Sequence, residues 1–367
     1  MGTIPDGERN RCRGSRFLLS VRLVSLAEAR LARREVPRPL RKPMPSLRDR
    51  MARRRIPEGT LHMAGKTDWL TEHYRQVNAG FAQNPPISLE ESRDLNDHWS
   101  DATTEPGGVD YAEVDAGGVP AMWATPKAGV ADRVLLCLHG GGFIGGSMYT
   151  HRKMFAHLAK AVGARALIVD YRLTPEHQHP AQIDDAGAAY SWLLDQGVKA
   201  EHVAVTGDSA GGMLSVQTML HARDSGMPVA AAVMPLSPWF DLENGGETRT
   251  ANRMTDVLFG GETPMNLAFL VQILLGEHGD PKDPAINALY ADLAGLPPLY
   301  IQASSTEMIL DDSYRLAALA EKAGVEVEVE IFEGQQHTWH MGAGRAPAAD
   351  EAIRKLAEWV RPRLGLA

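Results

Sequence analysis

Ser209 stands in the run Gly207-Asp208-Ser209-Ala210-Gly211-Gly212, after the apolar stretch Val203-Ala204-Val205-Thr206 and before a segment of helical composition from Met213 to Arg223. A strand that breaks into Gly-x-Ser-x-Gly and resumes as a helix has the sequence form of a nucleophile elbow. The turn is so tight that the residues two before and two after the serine nearly touch. Glycine at 207 and 211 removes the Cβ atoms that would collide, so the serine can sit strained and exposed at the head of the helix. The same five residues also occur in ordinary turns of glycine-rich chains. What separates the two readings is whether the chain also supplies a base, an orienting acid and an oxyanion site, because a serine hydroxyl at neutral pH needs all three to attack a carbonyl carbon.

The oxyanion element comes first in the chain. The apolar run Val134-Leu135-Leu136-Cys137-Leu138 leads straight into His139-Gly140-Gly141-Gly142-Phe143. Successive glycines after a buried strand let backbone N–H groups turn toward one point and let a substrate come close. In the serine-hydrolase layout these amides act with the N–H of the residue after the nucleophile, here Ala210. A glycine hairpin or a phosphate loop is the alternative, but a phosphate loop wants a lysine or a dinucleotide spacing that is absent here.

The base is expected after the last strand. Val325 to Phe332 alternates apolar and acidic residues, and Glu333-Gly334-Gln335-Gln336-His337-Thr338-Trp339 follows. That puts His337 on a loop beyond the strand's C-terminal end, last in the order serine, acid, histidine. His340 competes with it and is read as part of the next turn. The acid lies between the two. After Leu299-Tyr300-Ile301-Gln302-Ala303 come Glu307, Asp311 and Asp312. Glu307 falls in the loop, whereas the two aspartates immediately precede a helical run, where an Asp is most simply a cap or a favourable charge at the helix N-terminus. Glu307 is therefore assigned, with Asp311 as the fallback.

The elements that must position these groups alternate along the chain. Short β-type runs at Val119–Ala124, Val134–Leu138, Ala166–Val169, Val203–Thr206, Ala230–Met234, Leu299–Ala303 and Val325–Phe332 are separated mostly by helix-like segments. Those include Lys153–Val162, Ala181–Asp195, Tyr314–Lys322 and Ala348–Arg361. The alternation argues an α/β fold with a mainly parallel sheet covered on both faces. In such sheets functional groups gather at the C-terminal strand ends.

The 367 residues are 44% hydrophobic and 23% charged, enough for one large domain or two modest ones. No apolar run approaches the ~20 residues that span a bilayer. Cys12 and Cys137 lie far apart, so a disulfide framework is not expected and a reducing, cytoplasmic setting is. The net charge of −8 argues against nucleic acid, but residues 1–62 carry 16 Lys and Arg against 6 Asp and Glu, leaving 22 against 40 in the remainder. This basic extension is open to three readings: an amphipathic or transit-like helix, an arm associated with a cap, or a start read too early, since Met63 opens a more ordinary protein beginning. Its apolar stretch, Phe17 to Leu26, is broken by Arg22 and lacks a signal-peptide core.

With the motifs in hand the chain resembles the hormone-sensitive-lipase-like α/β-hydrolases, the bacterial family IV esterases, from about Trp69 to the C-terminus. The resemblance rests on His139-Gly140-Gly141-Gly142-Phe143, on Asp170-Tyr171-Arg172-Leu173-Thr174-Pro175-Glu176-His177 and on Gly207-Asp208-Ser209-Ala210-Gly211-Gly212. It implies Ser209 as nucleophile, His337 as base, and the amides of Gly141, Gly142 and Ala210 as the oxyanion hole. The family's acid motif, Asp-x-Leu-x-Asp, corresponds here to Glu307-Met308-Ile309-Leu310-Asp311, which places a Glu at the catalytic position. That departure characterises a branch that Leu236-Ser237-Pro238-Trp239-Phe240-Asp241-Leu242 also resembles, and the branch includes esterases and enzymes similar to monoterpene ε-lactone hydrolases.

The implied architecture is an eight-stranded sheet with a helical cap. Residues 63–108 would form N-terminal cap helices and 109–367 the catalytic domain, with a cap insertion at about 241–276. Phe143, Trp239 and Trp339 are candidate pocket walls, plain core burial being the alternative for each. His177 and His179 lack a third ligand at suitable spacing and are read as loop residues, so no metal or cofactor is expected. The implied activity is a serine carboxylesterase acting on short- to medium-chain acyl esters through an acyl-enzyme. A lactone or amide hydrolase with the same triad is an alternative, as is a non-catalytic small-molecule-binding protein on the same fold. Relatives of the family often dimerise, which leaves a homodimer open.

Overall fold

Residues 69–83 and 86–366 are described by the computed structural model. The basic extension at 1–62 and the first part of the expected cap segment, 63–68, lie outside the described residues. Runs rich in Val, Leu, Ile and Ala form eight strands of one sheet: β1 (Val109–Asp115), β2 (Pro120–Pro126), β3 (Val134–Leu138), β4 (Arg165–Val169), β5 (Val203–Asp208), β6 (Ala232–Leu236), β7 (Leu299–Ser304) and β8 (Val327–Phe332). Their order is β1-β2-β4-β3-β5-β6-β7-β8. β1 with β2, and β2 with β4, are antiparallel, and every later pairing is parallel. Every residue of β3, β5, β6 and β7 is buried, which requires cover on both faces and explains why these strands read as unbroken apolar runs.

The cover is helical. The helices are α1 (Trp69–Phe81), α2 (Leu89–Asp97), α3 (Met148–Val162), α4 (Ala181–Asp195), α5 (Ala210–Asp224), α6 (Thr248–Ala251), α7 (Leu267–Leu275), α8 (Leu310–Lys322) and α9 (Pro347–Val360). α3 packs on α9 and on β2 and β4, while α4 packs on α5, which lies on β5 and β6. α3 begins at a capping box, Ser147 with Thr150, and ends at Gly163 in the left-handed region, so both of its termini are satisfied locally. α6 and α7 belong to the long connection between β6 and β7. Asn78 on α1 joins that connection by donating to the carbonyls of Leu258 (2.8 Å) and Gly260 (3.1 Å).

At its two edges the sheet differs from the sequence reading for clear reasons. β1 carries no apolar run and is mostly exposed, as a polar edge strand is. The last strand begins at Val327 rather than Val325, because the Val325 amide donates to Ala320 and ends α8 instead of entering the sheet.

Candidate active site

β5 stops at Asp208 and α5 starts at Ala210, so the one residue between them, Ser209, makes the whole turn at φ 54° and ψ −118°. A Cβ on Gly207 would lie 2.3 Å from the Gly211 carbonyl oxygen, and one on Gly211 would lie 2.0 Å from that of Leu138. Both positions therefore exclude any side chain, and the elbow can form only with glycine there. The Ser209 amide donates to Leu236 (2.8 Å) and its carbonyl accepts from Trp239 (3.1 Å), which anchors the strained residue on both sides. Ala210 is the first helical residue, where an N–H has no carbonyl upstream within the helix and the dipole favours negative charge.

The glycine loop after β3 is tied to this elbow. The Gly140 amide donates to Asp208 Oδ1 at 3.0 Å, and His151 Nε2 lies 3.3 Å from Asp208 Oδ2. Burial works against the charge of Asp208, but its interactions with the neighbouring imidazoles, first that with His151, outweigh it and hold the carboxyl below its ordinary range. Gly141 adopts φ 117°, open only to glycine, and its carbonyl accepts from the amides of Ile144 and Gly145. Behind the loop, the Tyr171 hydroxyl donates to the His139 carbonyl (2.6 Å) and the Thr174 amide to that of Phe143 (2.8 Å). Arg172 holds that segment by forking onto Asp185, with the shortest contact at 2.7 Å.

His337 and Glu307 meet at the ends of β8 and β7. Imidazole Nδ1 lies 2.7 Å from Glu307 Oε1, and the other oxygen, Oε2, accepts from the Ser304 amide at 2.6 Å. Both side chains are buried, and the loop of Glu307 is pinned by Asn252, which donates to the carbonyls of Ser305 (2.9 Å) and Glu307 (2.8 Å). His337 Nε2 has no hydrogen-bond partner, which leaves it free to take a proton. The residue after it, Thr338, is held at φ 47° by its amide's bond to Ser237 Oγ (3.2 Å) and by the Tyr74 hydroxyl (2.5 Å).

The competing groups are occupied elsewhere. His340 Nε2 lies 2.9 Å from Gln302 Oε1, and complete burial lowers its pKa to about 3. Asp311 sits inside the first turn of α8, its amide donating to Thr248 Oγ1 at 3.0 Å. Among the described residues no group of three or more His, Cys, Asp or Glu is arranged to hold a metal ion.

Ser209, His337, Gly141, Gly142 and Trp239 line one narrow, apolar cavity of about 50 Å³. Its far walls are Tyr74, Val77 and Phe81 from α1, and Leu258, Phe259, Leu267 and Leu270 from the β6–β7 connection. Two expected walls are elsewhere. The Phe143 ring is fully buried 6.1 Å from the Tyr171 ring, behind the glycine loop, and Trp339 packs 4.9 Å from Phe332 in a separate small cluster. Sequence reasoning passed over Phe259, whose ring centroid lies 4.7 Å from that of His337, and Asp256, which bonds the amides of Leu258, Phe259 and Met308.

A family model for the alpha/beta hydrolase fold matches residues 135–341, a span that runs from the oxyanion strand past His337. The chain belongs to the α/β-hydrolase family. It is 35% identical to an acetyl-hydrolase of Streptomyces hygroscopicus over 77% of this chain and 98% of that protein. It is 33% identical to an esterase of Acinetobacter venetianus over 62% of this chain and 75% of the relative. Among solved structures, an esterase from the bacterial hormone-sensitive lipase family is 35% identical, with a TM-score of 0.76 over 82% of this chain and 100% of that one. Esterase EstE5, soaked by p-nitrophenyl butyrate, is 33% identical with a TM-score of 0.74 at the same coverage. Within the α/β-hydrolase family, the chain stands with these hormone-sensitive-lipase-like enzymes.

Proposed function

We propose that the protein is a carboxylesterase in which Ser209, His337 and Glu307 transfer an acyl group from an ester to water. The observation that carries this reading is the buried 2.7 Å contact between His337 Nδ1 and Glu307 Oε1, with Nε2 left unpartnered in the cavity that also holds Ser209. Glu307 fixes the imidazole with its proton on Nδ1, so Nε2 is the basic nitrogen. Nε2 takes the proton of Ser209 as the hydroxyl oxygen bonds to the ester carbonyl carbon. The carbonyl oxygen gains the negative charge and is held by the amides of Gly141, Gly142 and Ala210, each worth about 3 kcal/mol to the transition state. The C–O bond to the alcohol breaks as His337 returns the proton to the leaving oxygen. Water then attacks the acyl-serine with the same groups in the same roles.

The apolar cavity supports a small acyl group as the part of the substrate it encloses. The described part of 63–108, together with 241–276, forms the cap in this reading, supported by the cavity walls that α1 and the β6–β7 connection supply. No helix among the described residues is long and apolar enough to cross a membrane. A cytoplasmic location is part of the proposal, supported by the free, buried Cys137, and so is a homodimer, which sedimentation of the full chain would test.

A panel of p-nitrophenyl esters of rising acyl length, with one lactone and one anilide, tests the reaction class. The proposal expects turnover highest on the shorter esters and lost in Ser209→Ala. Turnover confined to the anilide or the lactone would replace the ester reading. Activity in Ser209→Ala above about one per cent of wild type would remove Ser209 from its role.

A further inference from the structure

Asp256 lies in the β6–β7 connection, 2% exposed, and uses both carboxylate oxygens on backbone amides. Oδ1 accepts from Leu258 and Phe259, each at 3.0 Å, and Oδ2 accepts from Met308 at 2.8 Å. An aspartate that merely shapes its own turn needs only the first pair of bonds. The second oxygen instead reaches 52 residues along the chain, to the amide that directly follows Glu307.

The two tied segments matter to the same imidazole. Glu307 holds its Nδ1, and the Phe259 ring packs beside it, tilted by 59° with 4.7 Å between centroids. Gln336, the residue before His337, ties the connection a second time: its Oε1 accepts from the Val257 amide (2.9 Å) and its Nε2 donates to the Thr255 carbonyl (3.2 Å). Asp256 therefore sits where the acid loop, the base loop and the cavity wall are joined. Its charge is felt there too. Burial raises its carboxyl above the ordinary range, the charge of His337 pulls it down and that of Glu307 pushes it up.

We infer that Asp256 is a positioning residue for the His337–Glu307 pair, locking the acid loop to the β6–β7 connection so that Phe259 fixes the imidazole. This rests on His337 being the base and Glu307 its acid. A free imidazole can rotate about its side-chain bonds, and only the arrangement that keeps Nε2 toward the serine is productive. The Phe259 ring restrains the rotation, and Asp256 restrains the ring.

The test is Asp256→Asn in the full chain, with the His337 ring N–H proton observed by NMR of ring-labelled histidine and its signal assigned through His337→Gln. This readout needs no turnover, so it is independent of which ester, if any, is cleaved. The role requires the Nδ1–H proton of His337, held on Glu307 in wild type, to be broadened or lost in the variant, because the acid loop is no longer locked beside the imidazole. A Nδ1–H signal unchanged from wild type overturns the role, even if the melting temperature falls, because a purely structural aspartate would behave that way. On p-nitrophenyl butyrate the same variant should lose kcat about tenfold with KM within about threefold. If Asp256→Asn does not fold, Phe259→Leu tests the other end of the tie: kcat must fall at least about fivefold, and wild-type kcat overturns the inference. Failure of the esterase reading itself would appear separately, as wild-type protein inactive on every ester.

Discussion

Replacing Glu307 by Gln changes one atom and should disable the base. The carboxylate has two committed oxygens: Oε1 faces His337 Nδ1 at 2.7 Å, and Oε2 accepts from the Ser304 amide at 2.6 Å. A glutamine has one oxygen for these two donors. The Ser304 N–H cannot turn away, since it belongs to the end of β7, so it claims the amide oxygen. The NH2 group is then presented to Nδ1, which must give up its proton and accept. The imidazole becomes the Nε2–H tautomer, which cannot take a proton from Ser209. The opposite orientation sets two N–H donors against each other in a fully buried site and still lacks the carboxylate charge that stabilises the imidazolium, so it does not rescue the base. A wrong tautomer in a serine triad costs on the order of 10⁴ in kcat, or about 5.5 kcal/mol.

Steady-state hydrolysis of p-nitrophenyl butyrate by Glu307→Gln should accordingly fall by 10³ or more, an order-of-magnitude figure, with KM little changed. Asp311→Asn, on α8 with its amide on Thr248, should stay within about threefold of wild type. Activity of Glu307→Gln above about a tenth of wild type would refute the reasoning, as would an equal loss in Asp311→Asn.

Three further outcomes follow from the geometry. Gly211→Ala should unfold the protein or destabilise it by more than about 3 kcal/mol in urea titrations, because its Cβ would sit 2.0 Å from the Leu138 oxygen, whereas Gly107→Ala, with open space around it, should be tolerated. His139 and His340 are held by burial at pKa values of about 3, below the ordinary 6.5, so the unfolded chain binds more protons between those values and stability rises with pH across that window. Each should contribute about 1.4 kcal/mol per pH unit well inside it, so urea midpoints should fall from pH 7 to pH 5 and flatten in part in His340→Asn; constant midpoints would contradict this. Leu270→Ala opens the cavity opposite Gly142 and should shift preference toward longer acyl chains by about one to two methylenes on the ester panel; an unchanged profile would place the acyl group elsewhere.

The sheet was legible wherever a strand is buried on both faces. Val134–Leu138 and Ala181–Asp195 end where composition says they should, and both are pinned by full burial or a clear periodic face. β1 escaped notice because an exposed edge strand has no apolar run to read. The elbow was readable because steric exclusion at Gly207 and Gly211 leaves a mark in the sequence itself. Which aromatic residues face the cavity was not, since Trp239 lines it while Phe143 and Trp339, each beside a motif, pack away from it. Asp256 was invisible for another reason. Its long-range partner is the backbone amide of Met308, and a backbone partner leaves no side-chain signature in the sequence.

Ester hydrolysis by the triad requires a covalent step at Ser209. Rapid quenching of full-length protein with p-nitrophenyl butyrate, followed by peptide mass spectrometry, should find one butyryl group on the peptide carrying Ser209, and none in Ser209→Ala. Turnover with no acyl group on that peptide, or an acyl group on a different residue, would contradict it.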